Sequence, residues 1–426
     1  MLARHIDEIR SDRALTLYGA ALALANIVTF VQWKFRSGVP LMIGRGADSF
    51  CWPFWENCHA FQLPVAVVND GLWLYLLLSL LTGYCFLARR VTAGYWLLLF
   101  VNAVRVAVLI QDYRLRANQH YMLNWVVLAF LFLPAKRALS HHVIVSLYFW
   151  AGALKLHWDW LSGAALYSQE QLWFPRALVP ASCVYVVVLE MVLIWGVYAR
   201  RNWIFYGTLG QLLLFHITSW PIVGFWYPTL MFSILSILPL TRQLHPPHEW
   251  VTFPWRGAPV RRLVTACIMG AFGAFQMVPH AFPGDTAVTG EGRVFALHMF
   301  DALVECDAAI TYRLDNGSTR QVRLEQTKRL PHRSRCDPII YFDLAKNECR
   351  HTRQSNGMAP PSESAGIVDL DLSLRTKRNS DTDYQQLIEI PQFCTTNPSY
   401  DMWRHNAWIR VPQREKEKVR PAAAGG

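Results

Sequence analysis

The run Ala14-Leu-Thr-Leu-Tyr-Gly-Ala-Ala-Leu-Ala-Leu-Ala-Asn-Ile-Val-Thr-Phe-Val31 carries no charged side chain. As a helix rising about 1.5 Å per residue it reaches across most of the ~30 Å hydrocarbon core of a bilayer. Met1 to Arg13 before it is charged and polar, so the run is expected to be a first spanning helix that serves as its own insertion signal rather than a cleaved signal peptide. The bulk of the chain agrees. Of 426 residues, 53% are hydrophobic and 18 are Trp, and the mean hydropathy is +0.17. A soluble domain of this size is less apolar, and tryptophan accumulates at membrane interfaces.

Apolar stretches of about 16–23 residues recur near 65–87, 93–111, 121–134, 142–158, 177–198, 203–219, 222–240 and 261–281, with 121–134 the shortest. The expected fold class is a polytopic α-helical membrane bundle of about nine spanning helices. Arg10 and Arg13, Arg89 and Arg90, Lys136 and Arg137, Arg200 and Arg201, and Arg242 through Arg262 then fall on one side, the cytoplasmic one by the positive-inside rule. Lys34, Arg36, Arg114, Arg116 and Arg176 lie on the other side and blur the pattern. The formal charge of +11 is thereby a topology signal, and no nucleic-acid partner is expected.

An odd number of spans places the C-terminus outside. Residues 1–281 form the helical domain. Residues 282–413, with alternating runs at Val294–Met299, Ile310–Leu314 and Gln321–Leu324 and an Asp-Asn-Gly turn, read as a small β-rich extracytoplasmic domain. Residues 414–426 read as a disordered tail. Cysteine usage points the same way. Cys306, Cys336, Cys349 and Cys394 lie in the outer domain, where two disulfides of open connectivity are expected, and Cys51 and Cys58 lie in the first outer loop. Six residues separate Cys51 from Cys58, which favours a loop disulfide over a redox-active pair, although a membrane thiol oxidoreductase stays open as a reading. Cys85, Cys183 and Cys267 are expected to be buried thiols.

An ionisable side chain at membrane depth is costly and marks a functional site by default. Lys155, in Tyr148-Phe-Trp-Ala-Gly-Ala-Leu-Lys155-Leu156, sits near the outer end of the fifth predicted helix. It is either a base, as the neutral amine, or a lysine snorkelling to the interface. His120 opens the fourth predicted helix and His216 ends the seventh, both on the same side as Lys155. Asp159, four residues after Lys155, faces the amine if that helix continues, and is otherwise an N-cap or a loop anion. His141-His142 and His245 with His248 read as wet loop pairs, and no metal site is expected. No phosphate-binding glycine loop, nucleophile elbow or HExxH helix occurs, which disfavours nucleotide-binding, classical hydrolase and zinc-protease readings.

Phe149-Trp-Ala-Gly-Ala-Leu-Lys155-Leu-His-Trp158-Asp159-Trp-Leu-Ser-Gly163 resembles a segment of the vitamin K-dependent gamma-carboxylase family, whose membrane part is also called the horizontally transferred transmembrane domain. Asn118-Gln-His120-Tyr-Met122 is similar to that family's Asn-x-His segment, and Phe215-His216 through Phe225 to its Phe-His segment. Gly292–Met299 is similar to the strand opening its extracytoplasmic part, so the resemblance covers roughly residues 10–300. It implies an enzyme that oxidises reduced vitamin K, or another naphthoquinone, with O2 to the epoxide, and in full members adds CO2 to peptide glutamate. Carried over residue by residue, it implies that Lys155 is the base and His120 the second catalytic group. His216, Asp159, Trp158 and Asn118 would then line the quinone site. Leu154 stands where vertebrate members have a second lysine, and the tail of about 140 residues is shorter than the peptide-binding part of a complete carboxylase. Quinone oxidation is therefore the first expectation and carboxylation of a secreted or periplasmic protein the second. The implied setting is an integral membrane protein, in a bacterial inner membrane, with its N-terminus cytoplasmic. A non-catalytic module that presents its C-terminal domain to a partner is the alternative.

Overall fold

A computed structural model of the chain describes residues 2–47, 49–55, 57–166, 175–251, 259–297, 304–324, 336–355, 366–378, 381 and 383–411. Two compact units divide it: residues 1–52, 57–163 and 169–276, and residues 53–56, 164–168 and 277–426.

The first unit is helical. It begins with α1 (Leu2–Ser11), whose partner α2 (Arg13–Val31) starts where the Asp12 carboxylate accepts from the backbone N–H of Ala14 and Leu15. A π turn (Gln32–Ser37) and the short α3 (Val39–Ile43) lead to α4 (Val65–Leu87) and α5 (Val91–Leu109). Then follow α6 (Asn118–Phe132), α7 (Lys136–Ala153), the single turn α8 (Trp158–Leu161), α9 (Val179–Met191), α10 (Asn202–Val223), α11 (Trp226–Leu235), α12 (Ile237–Leu244) and α13 (Pro259–Met277). Apolar on every side, α2 is the central element and packs against α4, α11 and α12.

Among the described residues four helical stretches, not about nine, are long and apolar enough to cross a membrane: Arg13–Ser37, Val65–Leu87, Val91–Leu109 and Arg176–Tyr198. The physical reasons for the correction differ by segment. The run at 121–134 yields α6 of only 15 residues. That at 222–240 is interrupted at Ser236 between α11 and α12. α7 begins at Lys136, not near 142, and includes Arg137, His141 and His142, and α10 includes Asn202, Gln211 and His216. α13 opens with Arg261 and Arg262. Membrane association itself follows from what the long helices leave uncovered. On α4, Leu74, Leu77, Leu80, Leu81, Tyr84 and Leu87 form an exposed apolar stripe that water would not tolerate.

Lys136 explains one sharp reversal. Ala135 turns into the left-handed region (φ 55°), and the buried Lys136 ammonium donates to the carbonyls of Phe130, Leu131 and Leu133, the groups that the end of α6 leaves without helical partners. Its backbone N–H donates to Glu8 Oε1 at 2.6 Å, fastening α1 to the start of α7.

The second unit holds a four-stranded antiparallel sheet of order β2-β1-β3-β4, from β1 (Val304–Leu314), β2 (Thr319–Arg323), β3 (Ile367–Arg378) and β4 (Gln385–Ile390). Asp315-Asn316-Gly317, with Gly317 at φ 77°, makes the β1–β2 turn. Alternate residues Leu370, Leu372 and Leu374 of β3 are buried, in one core with Tyr341, Phe342, Ala345 and Cys349 of α15 (Pro338–Ser355). Short helices α14 (Thr286–Thr289) and α16 (Phe393–Thr396) complete the unit. Three cysteine pairs stand at disulfide distance: Cys51–Cys58, Cys306–Cys336 and Cys349–Cys394. The first of these last two ties β1 to the turn two residues before α15, and the second ties α15 to α16, which indicates an oxidising compartment for this unit.

Two expectations fail locally. Residues 292–297 form turns rather than a strand, because Gly290 and Gly292 adopt φ 70° and 68° and the Arg293 side chain is drawn to Asp337 at 3.2 Å; residues 298–299 lie outside the described residues. Cys267, expected to be buried, is exposed on α13. The expected disordered tail, 414–426, also lies outside the described residues.

Candidate functional site

Lys155 lies just beyond α7, which ends at Ala153; the chain then turns, with the Lys155 N–H donating to the Gly152 carbonyl, and restarts as α8. Gly152 decides what the lysine meets. A Cβ there would stand 2.7 Å from Met191 Cγ and 2.9 Å from Glu190 Cβ, so only glycine lets α9 approach α7 this closely. The approach delivers Glu190, and Lys155 Nζ donates to Glu190 Oε2 at 2.5 Å. The two side chains are 2% and 0% exposed. Nζ also donates to the Ala151 carbonyl at 3.3 Å and sits 5.6 Å from the ring centre of Trp160. Trp160 is held in turn by its indole N–H on the Cys183 carbonyl of α9.

Two turns back along α7, the Tyr148 hydroxyl is hydrogen-bonded to His216 Nε2 of α10 at 2.5 Å. The His216 ring is packed by Tyr227 and Phe232 of α11, and its Nδ1 has no partner among the described residues. Tyr148 is within electrostatic range of Glu190, and His216 of Lys155. One buried polar group therefore comprises Lys155, Glu190, Tyr148 and His216. The Glu190 Oε1 atom in it is also without a partner among the described residues.

His120 belongs to a different group. Its Nε2 accepts from the Trp33 indole N–H at 3.2 Å, and no hydrogen bond or ion pair links it to Lys155 among the described residues. Trp33 stacks obliquely on Tyr75, whose hydroxyl donates to Asn26 Oδ1 at 2.7 Å. Arg105, fully buried on α5, donates from Nη2 to Asn102 Oδ1 and Asn124 Oδ1, each at 2.5 Å.

The remaining predicted residues spread out. Asp159 is buried in α8, but the helix break after Ala153 removes the i,i+4 relation to Lys155, and the acid facing the amine is Glu190. Trp158 is 69% exposed and lines neither group. Asn118, half-buried, is the first residue of α6. His141 and His142, expected to be wet, are buried: His141 Nδ1 donates to the Arg137 carbonyl and His142 Nδ1 meets the Tyr198 hydroxyl. Cys51, Cys58 and His59 bring potential ligand atoms within 4.8 Å of one another, but both sulfurs are taken up in the disulfide. Glu190 and Arg105, the two groups missed in the sequence, are ionisable residues inside apolar runs and obey the rule that singled out Lys155.

Comparison with protein-family models, with curated proteins and with solved structures found no match.

Proposed function

We propose that the protein is a membrane enzyme of the vitamin K-dependent gamma-carboxylase type that oxidises a reduced naphthoquinone with O2 to its epoxide. The observation that carries the reading is the Lys155–Glu190 pair, water-excluded, in the segment whose sequence resembles that family. Structural ion pairs of such burial are poor stabilisers, so the presence of one here supports a chemical use. A single proton shared by Nζ and Oε2 lets Lys155 present a neutral amine without leaving net charge in the bundle. The amine takes a hydroxyl proton of the quinol, and the quinol anion is the species that O2 attacks. Overall, quinol and O2 give epoxide and water: one oxygen atom enters the ring and the other leaves as water with both quinol protons. His216 and Tyr148, in electrostatic range, orient that anion. His120, carried over from the resemblance, acts from its own cluster on Trp33. In this reading Asp159, Trp158 and Asn118 have no direct role, and CO2 addition to a protein glutamate is an additional step. The disulfide-bonded unit in this reading lies outside the cytoplasm, as in a bacterial inner membrane, which its cysteine pairs support, while an odd span count no longer supports that side, with four spans among the described residues.

The test is turnover of reduced naphthoquinones by the purified chain in nanodiscs, with Lys155→Ala beside it. Epoxide from the wild type and none from the variant is the expected result. No epoxide from folded wild type across several quinones overturns the reading and favours the alternative, a module that displays its disulfide-tied domain to a partner.

A further inference from the structure

Arg105 is fully buried and no carboxylate accompanies it among the described residues, and the groups around it share a bias. Two N–H bonds of Nη2 are satisfied by Asn102 and Asn124, while Nε and Nη1 have no acceptor among the described residues. His120, within electrostatic range of Arg105, adds to the excess. An indole N–H only donates, so the His120 Nε2 that receives the Trp33 hydrogen bond is unprotonated and the proton of the neutral ring is on Nδ1. That Nδ1 is buried and also without an acceptor among the described residues. The cluster is therefore rich in donors and poor in acceptors, deep among apolar helices, where each unmade hydrogen bond to a charged group is expensive.

We propose that Arg105, with Asn102, Asn124 and His120, binds the carboxylate group of a monoanionic ligand. Charge selects the class. One guanidinium beside a neutral imidazole balances a single negative charge, whereas a dianionic phosphate would remain half uncompensated. Two carboxylate oxygens offer the acceptors that the guanidinium and the imidazole lack. Trp33 and Tyr75, rings 5.9 Å apart beside His120, supply an apolar wall for the carbon body of such a ligand. The carboxylate comes either from water, on a short acid, or from the bilayer, on a fatty acid. The proposal does not rest on the quinone reaction: His120 is common to both, but Arg105 has no part in that reaction, and the test reads binding rather than turnover.

Full-length protein in nanodiscs and chloride-free buffer is titrated with carboxyl-labelled acetate and, separately, carboxyl-labelled decanoate, following the carboxylate carbon by NMR. Saturable binding of either probe in the wild type, weakened about 30-fold or more in Arg105→Gln, is the expected result. Acetate alone identifies the aqueous source and decanoate alone the bilayer. Asn102→Asp covers the case in which Arg105→Gln fails to fold. It sets a carboxylate on the atom that already touches Arg105, so the fold is retained and both probes are excluded. Absence of saturable binding by either probe, equal binding in Arg105→Gln, or undiminished binding in folded Asn102→Asp overturns the proposal.

Discussion

Replacing Lys155 with Met tests the pair from the more costly side. Glu190 has one oxygen without a partner and the other bonded to Lys155, and the carboxylate is 0% exposed. Removing the amine leaves a buried anion with nothing on either oxygen, the situation that costs about 3–5 kcal/mol. Glu190→Gln is milder, because the amide oxygen still accepts from Nζ and the ammonium keeps the Ala151 carbonyl; about 1–3 kcal/mol is expected. The double variant Lys155→Met with Glu190→Leu removes both charges at nearly constant volume. It is expected to fall within about 1 kcal/mol of the wild type or above it, since the desolvation cost of the pair disappears with the charges. Reversible unfolding in mixed micelles, read by tryptophan fluorescence, measures all three. Epoxide assays on the same samples separate the roles, since the double variant is expected to be folded and inactive. A Lys155→Met cost below about 1 kcal/mol, or a double variant as unstable as the sum of the singles, would refute the claim that the two side chains form a desolvated pair.

Gly152→Ala places a methyl against Met191 and Glu190, so α9 must move from α7; a loss of about 1–3 kcal/mol, with loss of epoxide formation, is expected in the same assays. Opening Cys349–Cys394 by substituting both with Ala frees a link across 45 residues, and the chain-entropy cost of about 4 kcal/mol should appear as faster hydrogen exchange in β3, β4 and α15. Burial, with the Lys136 charge second, holds the His5 imidazole below its ordinary range. The unfolded chain therefore takes up its proton first, so α1 docking is fully stable above about pH 6.5 and weakens as the pH falls from there toward the folded-state value. Hydrogen exchange in α1 between pH 7.5 and 5.5 checks this, and His5→Gln is expected to remove the dependence.

The run Val65–Leu87 was legible to the residue, because a helix whose surroundings are apolar needs no partner to define its ends. The hairpin at Asp315-Asn316-Gly317 was equally readable, since turn chemistry is local. Span number was not. Counting apolar stretches assumes that each is a continuous helix surrounded by lipid, whereas the segments at 121–134 and 222–240 make short helices buried by neighbours. The strand expected from Val294 failed over the described residues 294–297 for a related reason: alternation suggested pairing, but two glycines at positive φ and a buried Arg293–Asp337 contact decided the backbone.

The same limit explains the candidate site. Depth of an ionisable residue can be read from one sequence segment; its partner cannot, because the partner arrives from a distant one. Lys136, Lys155 and Arg105 are all buried cations at or near apolar helices, yet each is stabilised differently. Lys136 meets helix-end carbonyls, which are neutral and structural, and so it needs nothing more. Lys155 meets a carboxylate 35 residues away, which makes a proton-sharing pair. Arg105 meets only amides, which leaves its charge uncompensated. Burial thus nominates all three equally, and the charge of the partner divides them into a cap, the proposed base and the proposed anion receptor.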